Sequence, residues 1–157
     1  EVFALFPLEI FSRSIKSKGQ YPKKVYVVDN GLVQLITRKI DQGRLMENIV
    51  FIELYRRSHA LQLFSINYWK EYGKAEGREV DFVINQAGKV VELINVTYAS
   101  SREDIHEREV NSLLQAGQEL ACNNLKIITW DYVAQEQIEF VPLWRWLINP
   151  RSKRDKV

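Results

Sequence analysis

The sequence predicts an α/β domain with a mixed central sheet flanked by helices on both faces. Three observations carry this. A β-branched and aromatic run, Lys24–Asp29, precedes an amphipathic stretch, Gly43–Arg57. Three strand-like segments then lie between Leu61 and Tyr98, with turn chemistry between them. After Ser100 a long helical segment leads to another β-rich run, Leu125–Trp130, and a connection of that length makes the last a crossover strand.

Taken in order, Val2–Phe11 is apolar and contains Pro7, which suits an edge strand or a hairpin remnant, since proline cannot donate to a central ladder. Ser12–Lys24 is polar and basic with Gly19 and Pro22, so it reads as a short helix or loop. Lys24–Asp29 is a strand, and Asp29-Asn30-Gly31 is a turn or helix start. In Gly43–Arg57 the residues Leu45, Ile49, Ile52 and Tyr55 or Arg56 lie near one stripe, with Met46, Val50 and Leu54 beside it. Leu61–Trp69, Arg78–Asn85 and Lys89–Tyr98 read as an antiparallel meander, turning at Gly73–Gly77 and at Gln86-Ala87-Gly88. Ser100–Asp104 offers a capping box for a helix to about Ala121, with Ile105, Val110, Leu113, Leu114, Gly117 and Leu120 on its buried side. Gln137–Val141 is a further short strand, and Pro142–Leu147 an aromatic cap of about one helical turn. The tail after Pro150 reads as disordered.

The chain has 157 residues, 46% of them apolar and 27% charged, with net charge +2 and one cysteine. That suits one domain with a sizeable core and excludes a wholly disordered chain, a strongly basic nucleic-acid-coating protein, a disulfide framework and a Cys-rich zinc site. The charge is uneven. Residues 1–24 carry five basic side chains against Glu1 and Glu9, and residues 151–157 carry four against Asp155, so the middle has four more acids than bases. The expected organisation is an extension or remnant of a preceding domain over 1–24, a core domain over 25–150 and a basic tail over 151–157. An apolar opening without an initiator Met suggests a piece of a longer chain. No apolar run approaches the roughly 18 residues of a membrane span, and the expected location is cytoplasmic.

Several motifs are absent: a P-loop, a dinucleotide-binding G-x-G-x-x-G, a G-x-S-x-G elbow and an H-E-x-x-H pair. His59 and His106 are far apart, and Cys122 sits at a helix end, all suited to structural or surface roles. Asp81 stands out, because it lies mid-strand between Val80 and Phe82, where a carboxylate is costly unless paired or metal-bound. It is either a paired or solvated strand residue or a metal-binding carboxylate or its remnant. On the next strand, alternation places Val91, Leu93, Asn95 and Thr97 on one face and Glu92, Ile94, Val96 and Tyr98 on the other. A carboxylate and a lysine at 95 and 97 would make a metal-dependent phosphodiesterase site, but this chain has an amide and a hydroxyl.

Lys24–Leu32, Gly43–Leu54, Tyr68-Trp69, Gly77–Ile84 and Val141–Trp144, in that order, resemble the nuclease-like C-terminal domain of archaeal-ATPase-type AAA proteins of bacteria and archaea. The resemblance covers about residues 21–147. It implies a PD-(D/E)xK, restriction-endonuclease-like core. By position it makes Glu47 the helix acid, Asp81 the strand acid, Asn95 the Glu/Gln position and Thr97 the Lys position, with Asp81 and Glu47 as the metal ligands if any metal binds. It also implies an ATPase domain upstream, where ATP would bind, and Mg²⁺ as the possible cofactor of the domain itself. Asn95 and Thr97 depart from the catalytic pattern, which removes one carboxylate and the cation.

Glu92 is a substitute acid only if a bulge turns it, Lys89 is too distant, and Arg78 or Lys74 would have to swing in. Glu47 also suits a helix start by its charge alone, and Glu53 suits a solvated cluster with Arg56 and Arg57. Three functions remain open. The first is a degenerate, non-cleaving module with a nucleic-acid-binding or regulatory role, and the second an active Mg²⁺-dependent nuclease with a relocated basic residue. The third is a protein-interaction or assembly domain. Nucleic acid and the upstream ATPase domain are the expected partners, with no membrane.

Overall fold

The computed structural model describes residues 4–12, 19, 21–37, 41–61, 64–71 and 77–148. Strands β1 (Leu5–Leu8) and β2 (Lys24–Val27) form an antiparallel ribbon in which Pro7 faces Val25. Two helices follow, α1 (Asn30–Thr37) and α2 (Gln42–Leu61). Then come β3 (Ser65–Lys70), β4 (Glu79–Gln86), β5 (Lys89–Val96), α3 (Glu107–Leu120), β6 (Leu125–Thr129), β7 (Ala134–Gln135), β8 (Glu139–Pro142) and α4 (Leu143–Ile148). The six strands from β3 onward form one mixed sheet in the order β3-β4-β5-β6-β8-β7. Its β3-β4-β5 part is an antiparallel meander, and β6 returns parallel to β5 through α3, as expected for a crossover.

Two cores cover the sheet. On one side α2, α4 and the ribbon pack Tyr26, Met46, Val50 and Trp146 against Phe82 and Ile94. On the other side α3 packs Leu113 and Ala116 against Val83, Leu93 and Ile127. The predicted α/β class with helices on both faces is the observed one. Leu8 and Ile10 also enter the first core, so β1 and the residues after it pack on the same body as the sheet.

Local chemistry explains the helix starts. The Asp29 carboxylate accepts the Gly31 N–H at 2.6 Å, and Asp41 accepts the Arg44 N–H at 3.1 Å. The first is so close that a Cβ at residue 31 would stand 2.7 Å from Asp29 Oδ1. At the β4–β5 hairpin Ala87 and Gly88 have φ of 50° and 83°, the positive values that a tight two-residue hairpin turn demands.

Several expectations need correction. Helix α2 is longer than the predicted Gly43–Arg57, and its buried row is Met46, Val50, Leu54 with Phe51, whereas Leu45, Ile49 and Ile52 are half-buried. Both rows are apolar at i, i+3 or i, i+4 spacing, and the position of sheet and ribbon chose between them. The Ser100 capping box does not form. Asp104 Oδ2 instead accepts the N–H groups of both Ser100 and Ser101 at 3.0 Å, and α3 starts only at Glu107 with His106 as its extended N-cap. Such side-chain-to-backbone bonds compete with helix formation. A bulge between the Ile84–Glu92 and Asn85–Val90 pairs puts Val91 in the α2-side core, so it does not share a face with Leu93. The strand expected over Leu61–Trp69 begins at Ser65, the one over Gln137–Val141 runs Glu139–Pro142, and β7 was not anticipated. Residues 13–18, 72–76 and 151–157 lie outside the described residues, and with them most of the Ser12–Lys24 segment, most of the Gly73–Gly77 turn and the tail.

Candidate functional site: a lysine among three carboxylates

Strand β4, the middle strand of the meander, supplies Glu79 and Asp81, two residues apart on one strand face. Helix α2 supplies Glu47 from its second turn. All three converge on Lys24, the first residue of β2. Its Nζ lies 3.0 Å from Glu47 Oε1, 2.7 Å from Glu79 Oε1 and 2.9 Å from Asp81 Oδ1. An ammonium has three N–H donors, and three carboxylates take them. The side chains of Lys24, Glu47 and Asp81 are only 21%, 22% and 20% exposed, so the ions are poorly screened.

The surrounding groups hold this geometry. Tyr26, one alternation further along β2, donates its hydroxyl to Glu47 Oε1 at 2.6 Å. Val96 donates its backbone N–H to Asp81 Oδ2 at 3.0 Å, which fixes the carboxylate against the neighbouring strand. Beside β2, the buried Asn48 side chain accepts from Val27 N at 2.9 Å and donates to Val27 O at 3.0 Å, so it pairs with β2 as a strand would.

The electrostatics follow. Burial alone would lower the Lys24 pKa, but Asp81, Glu47 and Glu79 outweigh it and hold it well above the ordinary lysine value. Burial, then the negative charge of Asp81, pushes the Glu47 carboxyl up, against the pull of Lys24. Burial and the Glu47 charge push the Tyr26 hydroxyl up, so it stays a donor.

Next to the cluster lies a cleft of about 670 Å³ lined by Glu47, Glu79, Asp81, Asn95, His106 and Glu109. Glu109, on the first turn of α3, has a buried Oε2 without a hydrogen-bond partner. Burial and the Asp81 charge raise its pKa, while a bond from Thr97 and the nearby His106 act in the opposite sense.

The sequence-predicted residues divide. Glu47 and Asp81 meet in the cluster. Asn95 is buried beside it, accepting the Asp81 N–H at 3.1 Å and donating to Glu109 O at 3.2 Å, so it braces two elements without touching Lys24. Thr97 is buried and serves Glu109. The proposed substitutes lie elsewhere. Glu92 pairs with Lys126 at 2.6 Å, because the bulge falls before it and leaves its side opposite to Asn95. Arg78 bonds to Gln115 on α3, Lys89 is exposed at the hairpin, and Lys74 is outside the described residues. His59 packs its ring on Tyr55, and Glu53 pairs with Arg56 and Arg57, each at 2.7 Å.

Sequence reasoning missed Lys24, Tyr26, Glu79 and Glu109. Lys24 was counted with the basic N-terminal segment, although its i, i+2 spacing to Tyr26 on a predicted strand put both on one face. Glu79 had the same spacing to Asp81. Glu109 carried no signal.

The donor set consists of carboxylate oxygens, the chemistry of a hard divalent cation. The arrangement does not fit one, however. The carboxylates meet on Lys24 Nζ, and among the described residues no group of three or more His, Cys, Asp or Glu is placed to hold a metal ion. Among those residues, too, no helix is long and apolar enough to cross a membrane.

Fold and cluster together define a mixed α/β domain built on a half-buried lysine–carboxylate centre. Residues 42–146 match the family model described as a domain of unknown function (DUF4143), and the chain belongs to that family, a domain found in AAA-ATPase-associated proteins. It is 34% identical over 160 residues to an uncharacterised protein of Methanocaldococcus jannaschii, an alignment covering 95% of this chain and 34% of that protein. It is 30% identical over 143 residues to an uncharacterised protein of Haemophilus influenzae, covering 86% of this chain and 32% of that one. The chain thus spans about a third of the length of these relatives. No solved structure matches it.

Proposed function

We propose that this is a nuclease-like, PD-(D/E)xK-type module that does not cleave, and that it serves a AAA-type ATPase as a docking or regulatory domain. The observation that carries the reading is the Lys24 ammonium held by Glu47, Glu79 and Asp81, which uses the acids of the site to pair an internal cation. Asn95 and Thr97 support it, since both are committed to bracing Asp81 and Glu109. The acid excess of the cleft repels phosphate, which favours a protein surface as the partner over a nucleic acid in the cleft. The membership of a family associated with AAA ATPases supports the ATPase context.

The test is incubation of the protein with single- and double-stranded DNA and RNA in Mg²⁺ or Mn²⁺. The expected outcome is intact nucleic acid. A second reading, an active nuclease whose basic residue has moved to β2, is favoured by the 2.9 Å contact of Lys24 with Asp81. It requires cleavage that disappears in both Asp81→Ala and Lys24→Met. Binding to DNA that weakens steeply with salt would replace the docking role with nucleic-acid binding.

A further inference from the structure

We infer that Tyr98 and Trp130 form a ledge that seats an arginine side chain of a protein partner. Strands β5, β6 and β8 run parallel, and the two aromatic residues follow the carboxyl ends of the first two. That is the end of an open α/β sheet at which ligands generally bind. The two ring centroids lie 5.3 Å apart, with the planes tilted by 45°. Tyr98 is nonetheless 49% exposed and Trp130 47%. Aromatic residues of this size normally bury most of their surface, so two touching rings left half in water make a small platform that the described residues do not cover. The platform is held from behind. Thr97 N–H donates to Ile128 O at 2.9 Å, and Ala99 O accepts the N–H groups of Trp130 at 3.0 Å and Asp131 at 3.2 Å. The two strand ends are thereby fastened together, and little ordering is left for binding to impose.

The charges select the partner. Asp131 follows Trp130 directly and is exposed. Asp104 is exposed too, in the turn after Tyr98, where the Ser100 and Ser101 N–H groups reach its Oδ2 at 3.0 Å. Those bonds hold its carboxyl below the ordinary aspartate value, so it stays charged. Glu103 adds an exposed acid to the same turn. Arg102, the base of that turn, is committed to Glu107 Oε1 at 2.6 Å and to Ile105 O at 3.3 Å. Aromatic rings flanked by carboxylates attract a cation and repel phosphate, which disfavours a stacked nucleotide. Arginine suits the ledge better than lysine, since its planar guanidinium stacks on a ring while its N–H fork reaches a carboxylate. The ledge also begins two residues beyond Val96, which lines the acid-rich cleft, so a basic segment seated on it meets carboxylates in that direction as well. The inference rests on the docking reading in taking the partner to be a protein, and it does not involve the Lys24 cluster.

The probe is the peptide Gly-Arg-Gly-Arg-Gly, blocked at both ends and titrated into isotope-labelled protein. Nuclear magnetic resonance follows the Trp130 indole N–H and the Tyr98 and Asp131 amides. The arginine peptide is expected to shift all three signals along one binding curve. The same peptide with citrulline, which keeps the shape without the charge, is expected to leave them in place. Trp130→Ala and Asp131→Asn are each expected to weaken binding at least about threefold, read at the signals that remain. Asp131→Asn replaces an exposed side chain by one of equal size, so it decides the matter even where Trp130→Ala does not fold. Silence with the arginine peptide, equal shifts with citrulline, or unchanged affinity in either folded variant overturns the inference. A single-stranded thymidine oligonucleotide that moves these signals where the arginine peptide does not also overturns it, in favour of a stacked base. Failure here is separable from failure of the functional reading. Nucleic acid left intact keeps the non-cleaving role even where the peptide does not bind, and cleavage by the unaltered chain removes that role even where it does.

Discussion

The ammonium of Lys24 lies 2.9 Å from Asp81 Oδ1, although 57 residues separate them in the chain. The contact ties the N-terminal ribbon to the central sheet, and with Glu47 and Glu79 it makes one charged joint between β2, α2 and β4. A joint of this kind is costly to break from one side, since the remaining charges stay desolvated.

Lys24→Met is therefore expected to lower the unfolding free energy by about 2–4 kcal/mol, below the usual penalty for a fully buried pair because the side chain keeps some solvent contact. Urea denaturation checks this. The sign of the pH dependence follows from the raised Lys24 pKa. The lysine's contribution is complete below the ordinary value of 10.5 and is lost as the pH climbs through its higher folded value. The gap between the two proteins should be flat from neutral pH to about 10 and close at higher alkalinity. It should also narrow on acidification, because Glu47, already pushed up by burial and by Asp81, takes a proton more readily once the ammonium is gone.

Glu109→Gln is expected to stabilise the protein above neutral pH. The Glu109 carboxyl is raised by burial first and by Asp81 second, so the folded state holds its proton longer than the unfolded state does. Stability then falls as pH rises through the interval above 4.5, the ordinary glutamate value. The amide escapes that loss. Thermal melts should show a gain that grows with pH across this interval and vanishes below it; a gain independent of pH would contradict the assignment.

Asn48→Leu is expected to cost about 2–4 kcal/mol. The leucine fills similar space but leaves the Val27 N–H and C=O without the partners that Asn48 supplies at 2.9 and 3.0 Å, and Asn30 loses a third bond at 2.8 Å. Hydrogen exchange at the Val27 amide offers a local readout, with faster exchange expected there than at Ile94 in the central sheet.

Ala87→Asn is expected to stabilise by about 0.5–1 kcal/mol, because Ala87 sits at φ 50° and asparagine tolerates the left-handed region better than alanine. The residue is exposed and away from the charged joint, so the urea midpoint should rise without any change at that joint.

The elements were largely legible because their signals are local. Alternation in Arg78–Asn85 and Lys89–Tyr98, with Gln86-Ala87-Gly88 between them, specifies a hairpin from neighbouring residues alone, and no end of the observed β4–β5 pair differs from it by more than two residues. Where two local patterns competed, reading failed. Ser100 and Ser101 lend their amides to Asp104 instead of capping a helix, and the two adjacent apolar rows of α2, Leu45-Ile49-Ile52 and Met46-Val50-Leu54, admitted more than one buried face.

Of the candidate site, the sequence by itself determined that Asp81 was anomalous and that an amide and a hydroxyl stand at 95 and 97, while the family resemblance alone brought Glu47 beside it. Only the tertiary structure decided which cation Asp81 meets. Lys24 belongs to a segment whose charge, counted along the chain, looked like part of a basic arm, and nothing within ten residues of it signals a carboxylate partner on β4. Coulomb attraction depends on distance in space, and the ribbon, α2 and β4 are brought together by burial of Tyr26, Val50 and Phe82 in one core.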